Sequence, residues 1–325
     1  MVTPLDGQRH AEGVGAGVKV RVPAKVNLFL AVRGQRPDGF HDIVSVMHTV
    51  GLYDDLTARC SGASFHPSAR RRMHVTLAHD GGTDVPVGDD NLVLRAARAL
   101  AGAIGADSGD AEEAAATHLD LCKRIPVGAG MGGGSADAAA TLVALNRLWE
   151  CGFDHGALRE LGAGLGADVP FCVTGGTALA TGTGVATAQV LCRGTYDWVV
   201  GISEDPLSTG DVYAAWDEIG EPTEIEPDAV LQALRSDDRD ALGAALHNDL
   251  EQAAFHLRPS LRGARDAMLV AGALGAVVSG SGPTVVGLAE DAVAAAAIAR
   301  EVARYFDRTE VVRSPVGGPE LLQVV

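Results

Sequence analysis

P-V-G-A-G-M-G-G-G-S-A-D-A-A-A, residues 126–140, places five glycines (Gly128, Gly130, Gly132, Gly133 and Gly134) within seven positions. Ser135 and Asp137 follow, and then T-L-V-A-L carries the pattern of a helix over 141–145. Glycine takes positive φ readily and lets a ligand come close to the backbone. A helix start presents N–H groups without intrahelical partners and the positive end of the helix dipole. A glycine turn feeding a helix is therefore an anion site, most often for phosphate. A linker, or a turn ahead of a packed helix, also uses glycine. Five glycines set directly against an apolar helix exceed what capping alone requires.

The spacing excludes two common classes of glycine loop. A Walker A loop ends in Gly-Lys-Ser/Thr, whereas this one ends Gly-Gly-Ser-Ala-Asp. A dinucleotide fingerprint needs G-x-G-x-x-G after an early strand and an acidic residue about 20 positions later. Here the glycines are denser, they lie past residue 120, and Glu150 falls at the end of the helix.

Outward from the loop, the chain has 325 residues, enough for two domains or one large one. With 47% hydrophobic and 4% aromatic residues, the composition favours close-packed α/β layers. A net charge of −16 argues against a nucleic-acid partner. No apolar run approaches a membrane span, and the first 17 residues lack the apolar segment of a signal peptide, reading instead as a loose tail. Cys60, Cys122, Cys151, Cys172 and Cys192 are scattered without metal spacing and read as reduced thiols of a cytoplasmic protein.

Residues 18–32 predict two short strands broken at Pro23. Q-R-P-D-G-F-H, 35–41, is a turn, and 43–50 and 56–60 resume strand character. Arg70, Arg71 and Arg72 form a solvated basic triplet, and 106–116 is an acidic loop. Asn91 is a natural N-cap for a helix from Leu92. A strand over 118–122 leads through Lys123-Arg124-Ile125 into the glycine loop, whose helix runs to about Trp149. After a short helix over 158–165, Asp168 falls in a turn ahead of Val169-Pro170. Residues 175–184 predict a hairpin. Beyond a boundary near 185, a strand at 198–203, helices over 209–271, strands at 276–279, 284–288 and 310–313, and a helix over 293–305 follow. S-G-S-G-P-T, 279–284, is a third glycine turn, between two of these strands.

Three segments together resemble the GHMP kinases, the superfamily of galactokinase, homoserine kinase and mevalonate kinase. They are P-A-K-V-N-L (23–28), the loop at 126–140 and the turn at 279–284, in the order and spacing of that family. P-A-K-V-N-L-F-L, R-P-D-G-F-H-D-I and L-G-A-D-V-P-F are similar to the branch that phosphorylates a cytidine diphosphate-linked sugar alcohol in isoprenoid precursor synthesis. Phe40, Met131 and Ala136 stand where the family often has tyrosine, leucine and serine. The resemblance implies an α+β GHMP kinase fold of two α/β domains. The N-terminal one is ribosomal protein S5 domain 2-like (18–185, ATP-binding). The C-terminal one is ferredoxin-like (186–325, substrate-binding), and the active site lies in the cleft between them. It implies ATP and Mg²⁺, a small-molecule substrate, and no obligate protein partner.

Carried onto this sequence, the resemblance makes Lys25 and Asp168 the catalytic pair. Asp168 orients or accepts the proton of the hydroxyl, and Lys25 holds that carboxylate ionised. Without the resemblance, a turn aspartate is most simply a helix cap and a lone lysine a surface residue. The loop Pro126, Val127, Gly128, Ala129, Gly130, Met131, Gly132, Gly133, Gly134, Ser135 and Ala136 would hold the nucleotide phosphates, with Lys123 and Asn91 near the nucleotide. Ser135 would bond phosphate or help bind Mg²⁺, or would simply cap the helix; Asn91 would reach the adenine or act only as a cap. Phe40 and His41 would read the cytosine, with Tyr213 as second aromatic. Asn27, Lys123, Thr209, Gly280, Ser281 and Gly282 complete the substrate side. One consequence is independent of the family: with few basic residues in the motifs, backbone N–H groups and Mg²⁺ must supply much of the neutralisation, so Mg²⁺ dependence should be steep. The rivals are a homoserine- or mevalonate-type kinase, a non-catalytic sensor of the same fold, and a nicotinamide oxidoreductase that the loop spacing opposes.

Overall fold

Residues 18–32 form one strand, not two: β1 (Gly17–Gln35) runs unbroken for 19 residues. Pro23 sits where the pairing with β2 (His41–Ser61) shifts register, between Pro23 and Ala24. The residues left over at this shift are Gly51 and Leu52 of β2, while Pro23 stays opposite Tyr53 and the strand continues. In this computed structural model the described residues are 17–61, 73–80, 85, 88, 90–105 and 115–324. The expected tail except Gly17, which opens β1, the Arg70–Arg72 triplet and nearly all of the acidic 106–116 segment lie outside them.

The chain continues through β3 (Met73–His79), α1 (Leu92–Ala103), β4 (Ala115–Cys122), α2 (Gly133–Leu148), α3 (His155–Ala163), α4 (Val169–Thr174), β5 (Thr177–Gly182) and β6 (Ala186–Gln189). One sheet runs β3-β4-β2-β1, and the β5–β6 hairpin adds to the other end of β2. β3 and β4 are parallel, joined across α1. Asn91 caps α1, its Oδ1 accepting from Val93 N at 2.8 Å. The stretch between Asp168 and the hairpin is the short helix α4. Pro170 falls in its first turn, where the missing N–H is no loss.

The second half contains β7 (Tyr196–Ile202), α5 (Thr209–Ile219), α6 (Asp228–Ser236), α7 (Arg239–Ala245), β8 (His247–Asn248), α8 (Glu251–Leu257), α9 (Ser260–Val270), β9 (Gly275–Val278), β10 (Val285–Ala289), α10 (Ala292–Val302), β11 (Arg308–Ser314) and β12 (Glu320–Val324). Its sheet has the order β11-β7-β10-β9, every pair antiparallel. With helices between β7 and β9 and between β10 and β11, this is the ferredoxin-like arrangement. β8 and β12, neither foreseen from sequence, return to the first sheet and pair with β1.

The two halves share one apolar cluster, in which Trp149 at the C-cap of α2 and Leu56 of β2 join Tyr196 and Trp198 of β7. A buried polar chain crosses the same junction. The ring nitrogens of His48 lie 2.7 Å from Thr177 Oγ1 and 2.6 Å from Ser314 Oγ. Trp198 Nε1 donates to the same Ser314 oxygen at 2.7 Å. Complete burial pushes the His48 imidazolium down to about 3, so the ring bridges the sheets uncharged. All five cysteines are free thiols.

Candidate active site

Alternate glycines of the loop carry the left-handed conformation: Gly128 has φ 66°, Gly130 73° and Gly132 68°. Close approaches demand glycine there as well. A Cβ on Gly130 would stand 2.1 Å from Ser279 O, and one on Gly132 would stand 2.9 Å from Lys25 Cγ. Gly132 is the N-cap of α2, and Ala136 N closes the first helical bond to its carbonyl at 2.8 Å. The amides of Gly133, Gly134 and Ser135 therefore have no intrahelical acceptor, and the helix dipole adds to their positive end. Ser135 is the third residue of α2, so the cap is glycine and not this serine.

The turn at 279–284 lies directly against the loop. Ser279 Oγ donates to Gly130 O at 3.0 Å. Asn248 Nδ2 donates to Val278 O at 2.8 Å and to Gly280 O at 2.7 Å, fastening the turn to β8. Ser281 Oγ pairs with Thr209 Oγ1 at 3.0 Å, which brings in the start of α5. Three segments far apart in sequence thus meet within one hydrogen-bonded unit.

Lys25 projects from β1 and is 6% exposed. Its Nζ is 3.1 Å from Asp168 Oδ2 and donates to Asn27 Oδ1 at 2.9 Å. Asn27 Nδ2 donates to Ser45 Oγ at 2.7 Å, and that hydroxyl donates to Phe29 O at 2.8 Å. Lys25 N donates to Met131 O at 3.0 Å, so the lysine backbone is tied to the loop its side chain underlies. Asp168 stands at the N-terminal end of α4 and makes no side-chain cap bond there. Its carboxylate faces the ammonium instead.

These groups line a cleft of about 760 Å³ that extends from the loop amides to Phe40, His41 and Tyr213. Gly128, Ala129, Gly130, Gly132, Gly133, Gly134, Ser135, Asn27, Thr209, Gly280 and Ser281 also face it. Lys25 is the only lysine or arginine among its described lining residues. Loop amides and this one ammonium therefore carry its protein-supplied positive character. At the far end the His41 ring stacks on Tyr213, with centroids 4.6 Å apart. It meets Trp216 edge-on at 5.5 Å, and its Nε2 is 2.7 Å from Asp217 Oδ1. Burial, helped by Asp168, pushes the Tyr213 phenol up to about 12. Phe40 is 65% exposed beside them.

Other expected residues sit elsewhere. Met131 and Ala136 are fully buried in the core, Asn91 is buried at the α1 cap, and Gly282 lies behind the turn against Val278. Pro126 and Val127 border a separate hollow of about 300 Å³ with Lys123, Arg124 and Arg308. Lys123 is engaged below the loop: its Nζ donates to Asp54 Oδ2 at 2.6 Å and to Asp137 Oδ2 at 2.8 Å. Burial works against that ammonium, but the two carboxylates outweigh it and raise its pKa. Burial also drives the Asp137 carboxyl up, to about 8, with Asp54 adding and Lys123 opposing. Sequence reasoning missed Asp54, Ser45, Asn248 and Asp217. Only Asp217 left a local signal: it lies four residues after Tyr213, on the same helical face.

Among the described residues no group of three or more His, Cys, Asp or Glu is placed to hold a metal. The hard oxygens on the cleft include the Ser135 hydroxyl, on the helix that the loop feeds, and the Asp168 carboxylate. An anion seated on the loop amides would have Lys25 and Asp168 at its outer end, where a hydroxyl could be deprotonated and a developing charge met. The opposite end offers aromatic faces and a histidine.

The family model described as "GHMP kinases N terminal domain" matches residues 91–176, and "GHMP kinases C terminal" matches 230–308. A 4-diphosphocytidyl-2-C-methyl-D-erythritol kinase of Salinispora tropica is 43% identical over 317 residues, covering 95% of this chain and 96% of its own. The protein of the same name from Nocardia farcinica is 44% identical over 294 residues, covering 89% and 91%. A crystal structure of 4-(cytidine 5'-diphospho)-2C-methyl-D-erythritol kinase superposes with a TM-score of 0.70 at 31% identity, over 91% of this chain and 98% of that one. A homoserine kinase from Cytophaga hutchinsonii has a TM-score of 0.71 at 20% identity over 97% and 100%, a likeness of fold.

Proposed function

We propose, because this chain belongs to the GHMP kinase family, that it transfers the γ-phosphoryl of ATP to the 2-hydroxyl of 4-diphosphocytidyl-2-C-methyl-D-erythritol. The observation that carries this reading is one cleft with a phosphate-type loop at one end and the Phe40–His41–Tyr213 group at the other. Between them stands the Lys25–Asp168 pair at 3.1 Å. The bond from the 2-oxygen to the γ-phosphorus forms as the β–γ bridge breaks, and ADP leaves. Asp168 takes or orients the hydroxyl proton. Lys25 pairs with the carboxylate at 3.1 Å and meets charge on the attacking oxygen. The amides of Gly133, Gly134 and Ser135 hold the nucleotide phosphates.

Mg²⁺ entering with the nucleotide would supply charge neutralisation to its phosphates. The donor set fits this: Mg²⁺ in phosphoryl-transfer sites is held by one or two carboxylates plus substrate phosphates, keeping several waters. Ser135 and Asp168 are the residues that would hold it. We assign residues 18–185 to the nucleotide side and 186–325 to the substrate side, with Phe40 and His41 reaching across. The free thiols support a reducing, cytoplasmic setting.

ADP release is the deciding measurement, with ATP, Mg²⁺ and a panel containing the cytidylyl substrate, homoserine and mevalonate. The cytidylyl compound should have the highest kcat/KM. Preference for either of the others would overturn the assignment.

A further inference from the structure

His41 is held on three sides by a single helix. Tyr213 covers its face at 4.6 Å, Trp216 meets its edge at 5.5 Å, and Asp217 Oδ1 lies 2.7 Å from Nε2. All three come from α5, and Tyr213 and Asp217 stand four residues apart, one turn of the same face. Nδ1 makes no hydrogen bond to the described chain, and His41 and Asp217 both line the cleft.

A carboxylate can only accept. In the neutral ring, a proton on Nε2 leaves the lone pair on Nδ1. We propose that Asp217 is a specificity-determining positioning residue: by accepting from His41 Nε2–H it keeps Nδ1 as an acceptor facing the pyrimidine of the substrate. The inference rests on the cytidylyl reading above and extends it to how the base is chosen. Cytosine carries an exocyclic amino group that can donate to such an acceptor. Uracil carries a carbonyl oxygen at the same place, so lone pair would face lone pair. A site built to bond a donor rejects an analogue lacking it far more strongly than a merely apolar pocket does.

The substitution Asp217→Asn replaces an acceptor-only group with an amide that can also donate to Nε2. That allows the ring proton to move to Nδ1. The experiment compares kcat/KM for the cytidine substrate and for its uridine diphosphate-linked analogue. The wild type should prefer cytidine. In Asp217→Asn the ratio should fall at least about tenfold, through KM for the cytidine compound, with KM for ATP unchanged. Asp217→Glu should retain most of the preference. An unchanged ratio in Asp217→Asn overturns the proposal. So does a parallel loss on both substrates with a rise in KM for ATP, since that marks a structural role. The ¹⁵N shifts of His41 in the wild type at pH 8 give an independent reading: protonated Nε2 and bare Nδ1 are expected, and the opposite tautomer overturns the assignment even if the variants fail to fold. A wild type that does not use the cytidine compound at all removes the underlying substrate reading, and is recognised before any variant is made.

Discussion

Lys25 Nζ stands 3.1 Å from Asp168 Oδ2, although the two residues are separated by most of the first half of the chain. The ammonium is almost wholly buried, and Asn27 Oδ1 accepts from it at 2.9 Å, so its position is fixed from two sides. Replacing Lys25 with methionine keeps the stem and removes the charge. Turnover should fall on the order of 10²-fold or more. Asp168→Asn should cost ~10²–10⁴-fold. Steady-state kinetics with melting curves check this: the loss belongs in kcat, with KM for ATP near the wild-type value. Near-full activity of Asp168→Asn would remove that residue from the chemistry.

The same lysine explains why Gly132 cannot carry a side chain. A Cβ there would lie 2.9 Å from Lys25 Cγ and 3.6 Å from Asp168 Oδ2, at a φ of +68°. Gly132→Ala should lower stability by ~1–3 kcal/mol through backbone strain. It should also lower kcat by pushing the lysine off its partner. Gly130→Ala should be worse for folding, because its Cβ would stand 2.1 Å from Ser279 O, a backbone atom that cannot swing aside. Chemical denaturation of both variants gives the order. Equal stability of the two would contradict it.

Much of this was legible in local sequence. Five glycines against an alanine-rich helix announce a loop feeding a helix start, because glycine conformation and helix capping act within a few residues. Asn91 likewise reads as a cap, and it is one. What was not legible depends on pairing between distant strands. Pro23 breaks a strand in isolation, but the register of β1 against β2 absorbs it as a bulge. The resemblance sets Lys123 near the nucleotide, and the structure engages it below the loop. Its partners Asp54 and Asp137 arrive from β2 and α2, and nothing near Lys123 in sequence announces them. The helix α4 is six residues long, too short for a period to declare itself. The meeting of Lys25, the loop and the 279–284 turn was foreseen only through family resemblance.

The buried Asp137 makes a prediction about pH. Its carboxyl is raised from an ordinary value near 3.8 to about 8, chiefly by burial. Between those values the folded protein holds a proton that the unfolded chain has released. Stability from this group is therefore complete below about pH 4 and is lost as pH rises towards 8. Asp55 works in the opposite sense: the hydrogen bond from Arg21 lowers it to about 2, so its contribution is lost only in acid. Asp137→Asn should become progressively more stable relative to wild type from pH 5 to pH 8.5, with a slope of at most ~1.4 kcal/mol per pH unit. Urea melts at three pH values measure it. Parallel curves would refute the shift.

The cleft has a single described lysine or arginine, yet the proposed reaction brings in a nucleoside triphosphate and a diphosphate ester together. Removing Mg²⁺ with a chelator should abolish turnover. Ser135 offers its hydroxyl on the first turn of α2, beside the free loop amides. Ser135→Ala should raise the Mg²⁺ concentration needed for half-maximal rate about tenfold, equivalent to one lost charge-assisted contact of ~1.4 kcal/mol. A Mg²⁺ titration of initial rates decides it. An unchanged midpoint would leave Ser135 with no part in metal or phosphate binding.

Phe40 offers the cleanest separation of binding from folding. It is 65% exposed, so truncation opens no cavity and should leave the melting temperature within experimental scatter. The turn that holds it is fixed by backbone bonds, Arg36 N to Phe40 O at 2.7 Å and Gly39 N to Arg36 O at 3.0 Å, and these survive the loss of the ring. Tyr213 already stacks on His41, so within the described chain the Phe40 ring keeps a face open to the cleft. A stacked base is worth ~1–3 kcal/mol. Phe40→Ala should therefore raise KM for the cytidylyl substrate by roughly 5- to 150-fold while KM for ATP stays constant. Phe40→Tyr should restore binding, because the stacking face returns. If both KM values rise together in Phe40→Ala, the ring supports the turn instead of the base, and recognition falls to His41 and its helix alone.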